Sequence, residues 1–336
     1  MSSGLVAAVG MALAFAFTNG VHDAANAIAT LVATRGARPG QAVVLAAAGN
    51  VVGPVLLGTA VARTVAGTIT VPASEMVVTV GAALSAAVTW NLVTWRVGLP
   101  SSSGHALLGG LVGAALAEHG RGAVNWGGMD GLVPSGVIGV AVVLTVAPFL
   151  GLAAGFVVDR GLRRALRRGT RRLRGPVRAG QWTMSECLAI THGANDAQKA
   201  VGVIAALLLA TGYEQTLEAP LWMVVLCGVA LTAGTVVGGW PIVRTLGRRI
   251  ALLRPADALA SQTGSTFVLA TASIVGAPVS TTQVVASSVV GVGGGRRRWR
   301  HVHWRVVEAM VLSWLVTAPV TAVLAALATV PWRWFT

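Results

Sequence analysis

The chain has 336 residues, of which 54% are hydrophobic and only 11% are charged, and its mean hydropathy is +0.73. A soluble domain of this length needs far more surface charge, so the composition is typical of a polytopic membrane protein. The formal net charge is +14, but the arginines cluster between apolar stretches. That distribution indicates a lipid bilayer as the partner and argues against nucleic acid.

Ten apolar segments follow one another along the chain, and most are long enough to cross about 30 Å of hydrocarbon. They lie near residues 4–34, 41–62, 74–97, 101–117, 132–158, 182–210, 220–243, 257–276, 279–294 and 304–330. The first has no basic leader and runs past the length of a signal sequence, so we interpret it as a span. Two short segments, 101–117 and 279–294, begin beside a proline and predict half-helices of re-entrant hairpins. We therefore expect an all-α polytopic fold of about ten segments, forming ten to twelve helical pieces.

The arginines between the segments predict an orientation. They cluster at residues 35–38, 160–178, 244–254 and 295–305. Basic loops stay in the cytoplasm, so we expect these loops inside and both termini outside the cell membrane. The first and sixth segments then run in opposite directions, which predicts two inverted repeats, as in many secondary transporters. The expected division is residues 1–158 for the first repeat, 159–181 for a basic cytoplasmic loop and 182–336 for the second repeat.

One acidic motif occurs in both halves, in the middle of apolar stretches. It reads NGVHDAANA at residues 19–27 and HGANDAQKA at residues 192–200. A carboxylate at membrane depth is costly, so two of them at matching places, Asp23 and Asp196, predict a functional site. The structural alternative is a set of interhelical hydrogen bonds. Asn26 lies three residues after Asp23, on the same helical face, and extends the site.

Other polar residues of these motifs are candidates for cation or proton coupling. Lys199 is the only lysine of the sequence and stands where the first copy has Asn26. We interpret it as a fixed cation in the substrate site, with a neutral internal salt bridge as the alternative. His22 is a candidate proton carrier, because histidine titrates near neutral pH. The residues assigned to coupling are Asn19, His22, Asp23, Asp196 and Lys199.

A second motif, rich in hydroxyl groups, follows the acidic motif in each half. It reads PSSSGH at residues 100–105 and PVSTTQ at residues 278–283. Hydroxyl donors and free backbone amides at a helix start favour an anion, although Ser and Thr at such places also cap helices. The pairing of each copy with an acidic motif favours a ligand site. Its candidate residues are Ser102, Ser103, Ser280, Thr281 and Thr282.

Together these four motifs resemble those of inorganic phosphate transporters of the PiT type, over essentially the whole chain. The family hallmark GANDVANA matches residues 20–27 and 193–200, and the variants here are similar to the bacterial low-affinity branch. The family motifs PxSSSH and PVSTTH match the hydroxyl-rich motifs with two departures. Gly104 stands in place of a serine and Gln283 in place of a histidine, and both changes bear on the affinity for the substrate and on its identity.

The resemblance implies a symporter that moves inorganic phosphate inward together with a cation. It implies an ion and substrate site at Asp23, Asn26, Asn195 and Asp196. It implies phosphate-binding roles for Ser102, Ser103, Ser280, Thr281 and Thr282.

Charge counting gives a separate reason to expect coupling. Asp23, Asp196 and Lys199 leave one net negative charge, and a divalent phosphate would raise this to about three in a poorly solvated site. A cation must therefore accompany the substrate. We expect protons in preference to sodium, because Lys199 replaces an Asn that sodium-coupled relatives keep. A metal–phosphate complex is a further candidate cargo, carried by alternating access.

Several alternatives stay open at this stage. They are a sodium-coupled phosphate symporter, a permease for sulfate or another oxyanion, and a passive anion channel. The sequence contains no HExxH, Walker or nucleotide-binding motif and no Cys–His nucleophile pair, so we expect neither an enzyme nor a cofactor, and no metal site is assigned. The small-residue face at Gly109, Gly110 and Gly113 packs either within the protomer or in a homodimer.

Overall fold

The computed structural model describes residues 2–167, 173–295, 299 and 302–335. Within these ranges the helices are α1 (Ser3–Ala33), α2 (Pro39–Leu56), α3 (Ala60–Ala66), α4 (Met76–Val97), α5 (Ser103–His119), α6 (Gly136–Ala165), α7 (Arg174–Ala210), α8 (Leu221–Val237), α9 (Trp240–Arg244), α10 (Pro255–Ile274), α11 (Thr281–Gly295) and α12 (Trp304–Trp332). An antiparallel hairpin of β1 (Gly128–Asp130) and β2 (Val133–Ser135) precedes α6. The chain is an all-α polytopic membrane protein, as its composition predicts.

Five of the described helices are long and apolar enough to cross a membrane: α1, α2, α4 with its preceding turn, α6 and α12. The pair α8 and α9 gives a sixth candidate span, bent by 65°. The helices α6 and α12 lie at the periphery, where Phe149, Leu312 and Leu315 are between 62% and 69% exposed. Large apolar side chains exposed in this way along a long helix are suited to contact with lipid.

Two apolar segments of the sequence are each divided into two helices. The segment 41–62 breaks between α2 and α3, near Gly58, and the segment 220–243 breaks between α8 and α9, at Gly238. These glycines have φ values of 75° and 81°, a left-handed conformation that residues with a Cβ atom avoid. The ten expected segments therefore become twelve helices.

The helix contacts follow the same pattern in both halves of the chain. The helix α1 packs against α8, and α2 packs against α7 in the corresponding way. Likewise, α12 packs against both α4 and α5 of the first half. In the corresponding way, α6 packs against both α10 and α11 of the second half. Within the described residues each half thus has six helices in the same order, and the last helix of each half packs against the hairpin of the other.

The short helices α5 and α11 are the returning arms of re-entrant hairpins. Glu118, near the end of α5, bonds Arg333 close to the C-terminus, and the start of α4 packs beside the N-terminal Gly4. The α4–α5 hairpin therefore enters and leaves on the face that carries both termini. At the opposite ends of the molecule, Asp257 of α10 and the end of α11 both lie against the last turns of α6. The α10–α11 hairpin enters and leaves on that second face.

The second face also gathers the basic clusters. Arg35, Arg178 and Arg254 line one cavity there, and His303 bonds the Arg249 carbonyl. The helix α6 ends at Ala165 and α7 begins at Arg174, so the expected loop 159–181 is helical at both ends. Residues 168–172, 296–298 and 300, which belong to the expected basic clusters, lie outside the described residues. We name this side the basic face; its cytoplasmic orientation stays a prediction.

Candidate functional site

The tip of the α10–α11 hairpin lies between the two acidic motifs. Asp23 projects from α1 and Asp196 from α7, and both side chains are buried. Thr281, the first residue of α11, brings them together: its Oγ1 lies 3.3 Å from Asp23 Oδ2 and 2.9 Å from Asp196 Oδ2. One hydroxyl hydrogen can point to only one carboxylate at a time, so Asp23 and Asp196 compete for the hydrogen of Thr281.

The first acidic motif holds the hairpin tip through further hydrogen bonds. Asn26 Nδ2 donates to Thr281 Oγ1 at 3.0 Å and to Thr282 Oγ1 at 3.1 Å. Thr282 Oγ1 in turn donates to Asp23 Oδ1 at 2.8 Å. The second half of the chain therefore supplies hydroxyl groups to the acidic motif of the first half. The structure thus brings the first acidic motif and the second hydroxyl-rich motif into direct contact.

His22 connects this cluster to the other hairpin. Its Nδ1 lies 2.6 Å from Asp23 Oδ1, and its Nε2 lies 3.1 Å from Ser101 Oγ. Ser101 also bonds Thr94 Oγ1 at 2.9 Å. A neutral imidazole fits this setting, because it donates from Nδ1 to the carboxylate and accepts at Nε2 from a hydroxyl.

His192 is a site residue that the sequence reasoning missed. Its Nε2 lies 2.9 Å from Asp196 Oδ2, and its Nδ1 lies 2.8 Å from the side-chain oxygen of Asn50. The amide nitrogen of Asn50 donates to Thr235, which fixes the amide oxygen toward the ring. Both ring nitrogens thus face oxygen atoms: Nδ1 is hydrogen-bonded to an amide oxygen, and Nε2 lies within ion-pair distance of a carboxylate. The signal was available, since His192 lies four residues before Asp196 on one helical face.

Lys199 lies on the opposite side of Asp196. Its ammonium donates to Asp196 Oδ1 and to the Val279 carbonyl, the latter at 3.0 Å, and the residue is 1% exposed. The salt bridge named as the structural alternative is therefore formed. The ammonium of Lys199 also bonds Val279, between α10 and α11, so this cation supports the hairpin tip as well as the Asp196 carboxylate. A cavity of about 20 Å³ beside it is lined by Gly104 and Pro278.

The remaining candidates lie around the cluster in supporting places. Ser102 caps α5, accepting from the His105 amide at 3.2 Å, and Ser280 accepts from the Gln283 amide at 3.4 Å. Capping, the alternative considered for these hydroxyls, is therefore what these two serines do. Ser103 is the buried first residue of α5.

Two asparagines of the acidic motifs do not join the carboxylates. Asn195 donates to the Ala277 carbonyl at 3.0 Å, which steadies the chain between α10 and α11. Asn19 is fully buried, and its side-chain atoms have no hydrogen-bond partner among the described residues.

The two departures from the family motifs lie close to the site. An ideal Cβ at Gly104 would lie 3.4 Å from Leu144 Cδ2 and 3.7 Å from Lys199 Nζ, which are ordinary contacts. A serine would therefore fit at this position. Gln283 lines a separate cavity of about 320 Å³ together with His105, and its Oε1 has no partner in the described part of the chain.

The cluster has the composition of a site for a cation and an anion together. One ligand atom from each of Asp23, His192 and Asp196 lies within 4.8 Å of the others, and all three residues are buried. These are the atoms that would hold a cation. The first amides of α11 offer donors to an anion, and the Thr281 and Thr282 hydroxyls would do so once they turn away from the carboxylates.

Comparison with known proteins gives consistent matches. The model of the "Phosphate transporter family" matches residues 19–325. A Rhizobium meliloti protein named "Probable low-affinity inorganic phosphate transporter" is 39% identical over 96% of this chain and 95% of its own length. A Bacillus subtilis protein with the same name is 36% identical over 94% and 93%. A solved structure described as "The sodium-dependent phosphate transporter" superposes with a TM-score of 0.86 over 98% and 99%, at 23% identity.

Proposed function

This chain belongs to the phosphate transporter family, and on that premise we propose that it imports inorganic phosphate across the cell membrane by symport with protons. The relatives named above are transporters, and the chain is not an enzyme. The observation that carries the coupling proposal is the pair of histidine–carboxylate contacts, one on each acidic motif. Each places a proton acceptor beside a carboxylate that must be neutralised when an anion enters.

The charge balance supports coupling. Asp23 and Asp196 lie on either side of one threonine hydroxyl, and Lys199 neutralises only one of them. A divalent phosphate added to this cluster would be strongly repelled, because charges in a poorly solvated site interact far more strongly than in water. Protonation of His22 and His192 would offset the charge that the substrate brings. Phosphate without protons, or protons without phosphate, would each leave the site unbalanced.

The hairpin arrangement supports alternating access as the mechanism. The α4–α5 hairpin enters from the terminal face and the α10–α11 hairpin from the basic face, and Ser101 and Thr281 at their tips both contact the first acidic motif. We infer that rocking of one half against the other exposes these tips to one side at a time. Binding of phosphate and protons together would lower the free energy of the occluded intermediate.

Sodium coupling is the second candidate, and one observation favours it. The carboxylates of Asp23 and Asp196 converge with His192 into a set able to hold a cation. The solved structure of the same fold is described as sodium-dependent, although at 23% identity it supports the fold alone. A metal–phosphate complex would use the same carboxylates, and sulfate would use the same hydroxyls.

The test is uptake of labelled phosphate into liposomes containing the purified protein. An inward proton gradient and an inward sodium gradient are imposed separately, each with and without magnesium, and sulfate is added as a competitor. We expect uptake driven by protons alone. Uptake that requires sodium and ignores the pH gradient would overturn proton coupling. Sulfate that competes more strongly than unlabelled phosphate would overturn the assignment of phosphate as the substrate.

Variants of the carboxylates make the same assay specific. Asp23→Asn and Asp196→Asn should each reduce uptake at least about 100-fold, because each removes a buried charge needed to bind the cation. The control is Asp130→Asn, an exposed carboxylate in β1 that lies outside the cluster. If both site variants transport as well as the control does, these carboxylates have only a structural role.

A further inference from the structure

A large cavity opens on the basic face, away from the cluster that holds the two aspartates. Its volume is about 590 Å³, within the range of sites that hold small organic ligands. It forms where the end of α1, the start of α7 and the start of α10 meet. The residues lining it are Thr34, Arg35, Gly36, Leu166, Leu173, Arg174, Val177, Arg178, Gln181, Arg254, Pro255 and Ala256.

Four of these lining residues are arginines, and none is acidic. Arg35, Arg174, Arg178 and Arg254 are exposed, and none forms an ion pair with a carboxylate within the described ranges. By contrast, Arg163 on the same face is fully engaged with two aspartates. The cavity therefore concentrates unneutralised positive charge that comes from three separate helix ends.

The floor of the cavity is ordered by buried polar contacts. Gln181 is 1% exposed and donates to Thr34 Oγ1 at 2.9 Å. The Gly36 carbonyl accepts from Arg178 Nε at 3.0 Å and from Trp182 Nε1 at 3.1 Å. Arg178 is thus anchored by Nε, and its terminal nitrogens have no hydrogen-bond partner among the described residues.

Arg35 occupies an unusual backbone conformation at the rim. Its φ is 58°, and no other described residue apart from glycines has a positive φ. Such a conformation is costly for a residue with a Cβ atom and is found where the surroundings impose it, often at functional positions. Orientation in the membrane requires only that arginines lie on one side. It does not require a strained turn or a shared concave wall.

We infer that this cavity binds a phosphate-bearing anion, drawn either from a soluble phosphate compound or from a phospholipid head group. Guanidinium groups present several N–H donors in a plane and match phosphate oxygens in pairs. The first turn of α10, at the rim, adds the positive end of a helix dipole. Four arginines suit an anion with more than one negative charge or more than one phosphate oxygen exposed.

A bound anion would tie together helices that carry the transport cluster. The helix α1 bears Asp23, α7 bears Asp196, and α10 is the first arm of the hairpin whose tip bears Thr281. Occupancy would hold these helix ends together on the basic face and slow the opening of that face. This regulatory consequence rests on the proposed transport function, whereas the binding itself does not.

The test measures binding without any gradient, so it is independent of transport. The purified protein is placed in phosphatidylcholine nanodiscs and titrated with pyrophosphate at constant ionic strength, and its melting temperature is followed. In a second arm, phosphatidylglycerol replaces part of the phosphatidylcholine, and retained lipid is counted by native mass spectrometry. The cavity variants are Arg35→Gln/Arg254→Gln and, separately, Arg174→Gln. The matched control is Arg244→Gln/Arg305→Gln, which removes the same charge elsewhere.

For the parent and control proteins we expect one of two results: a higher melting temperature with pyrophosphate, or retention of phosphatidylglycerol. In the double cavity variant the half-saturating concentration should rise at least about tenfold, as expected when two charge-assisted contacts are lost. A rise in melting temperature with pyrophosphate would identify a soluble phosphate compound as the ligand. Selective retention of phosphatidylglycerol would identify a lipid head group. Equal losses in the cavity and control variants, or no effect in either arm, would overturn the inference. If phosphate uptake fails while this binding is found, the proposed function is wrong and the cavity stands.

Discussion

His192 and His22 hold the two carboxylates from different sides, and their surroundings differ. His22 contacts one carboxylate oxygen and one hydroxyl, whereas His192 contacts a carboxylate oxygen and an amide oxygen. An amide oxygen cannot donate a hydrogen, so Nδ1 of His192 carries one, and Nε2 is the nitrogen open to a further proton. A proton gained there would lie against the Asp196 carboxylate, whereas one gained at Nε2 of His22 would lie against the Ser101 hydroxyl.

We predict that His192→Gln removes the dependence of phosphate uptake on the pH gradient. Glutamine keeps a hydrogen-bonding side chain but cannot gain a charge in this range. Uptake at saturating phosphate should fall at least about tenfold and become flat with pH. The measurement is the pH profile of uptake into liposomes, with His119→Gln, outside the cluster, as the control. An unchanged pH profile would mean that His192 does not carry the co-transported proton, which leaves His22 or a group other than histidine.

Gly104 offers a direct way to test the anion side of the cluster. A side chain fits there, and its nearest neighbours include Lys199 Nζ and Ser102 Oγ. We predict that Gly104→Ser lowers the phosphate concentration for half-maximal uptake by about three- to tenfold, the effect of one added hydrogen bond. Gly104→Ala is the matched control, because it adds the same Cβ without the hydroxyl. Equal behaviour of the two variants would show that the hydroxyl does not reach the substrate.

Close helix crossings position the acidic motifs at the level of elements. Gly20 on α1 lies against the backbone of Leu231 on α8, and Gly193 on α7 lies against Asn50 on α2. Each glycine precedes the motif aspartate by three residues. A Cβ at either place would overlap main-chain atoms of the neighbouring helix, so these crossings fix where Asp23 and Asp196 stand.

We predict that Gly20→Ala and Gly193→Ala each destabilise the protein by about 1–3 kcal/mol, the usual effect of overpacking. Both should also reduce uptake, because the aspartate one turn away is displaced. Gly10→Ala on α1 is the control, since no heavy atom lies within 4 Å of its added Cβ. Melting temperature in detergent checks the first effect. A Gly20 variant as stable as the Gly10 variant would contradict this account of the crossing.

Much of the fold was predictable from the sequence, for reasons that particular elements make plain. The hydropathy of the chain indicated the helices and the short arms α5 and α11, and the paired motifs singled out Asp23, Asp196, Thr281 and Thr282 as candidate site residues. Contacts between distant segments were not predictable. Asn50 carries no motif, yet it orients His192 across the α2–α7 interface. Nor does the sequence indicate that Arg35 and Arg254 line one cavity, because that depends on how three helix ends meet.

At the scale of the whole molecule, two arginine bridges close opposite faces. On the basic face, Arg163 bonds Asp159 at 2.7 Å and Asp257 at 2.7 Å, joining α6 to α10. On the terminal face, Arg333 bonds Glu118 at 2.8 Å. Burial raises the pKa of Glu118, but hydrogen bonds from Thr329 and Arg333 outweigh it and hold the pKa below its usual value. That contact is lost only as the pH falls through the lowered value, so it persists where histidines titrate.

We predict that Arg163→Gln opens the basic face selectively. Its loss leaves the buried carboxylates of Asp159 and Asp257 without this cation, which weakens the α6–α10 contact. Amide hydrogen exchange at the start of α10 should accelerate at least about tenfold. Arg333→Gln serves as the counterpart and should accelerate exchange at the end of α5 instead. Similar exchange patterns in the two variants would mean that these bridges do not gate separate faces.

The substitution of Lys199 for the Asn26 of the other half has an evolutionary consequence. A half-length ancestor that paired with an inverted copy of itself would place two asparagines or two lysines beside the two aspartates. Its site could then carry only an even net charge. The single net negative charge contributed by Asp23, Asp196 and Lys199 is odd, and two identical halves cannot produce it. This set of charges therefore requires two halves that differ at this position, and replacing either half by a copy of the other would change it.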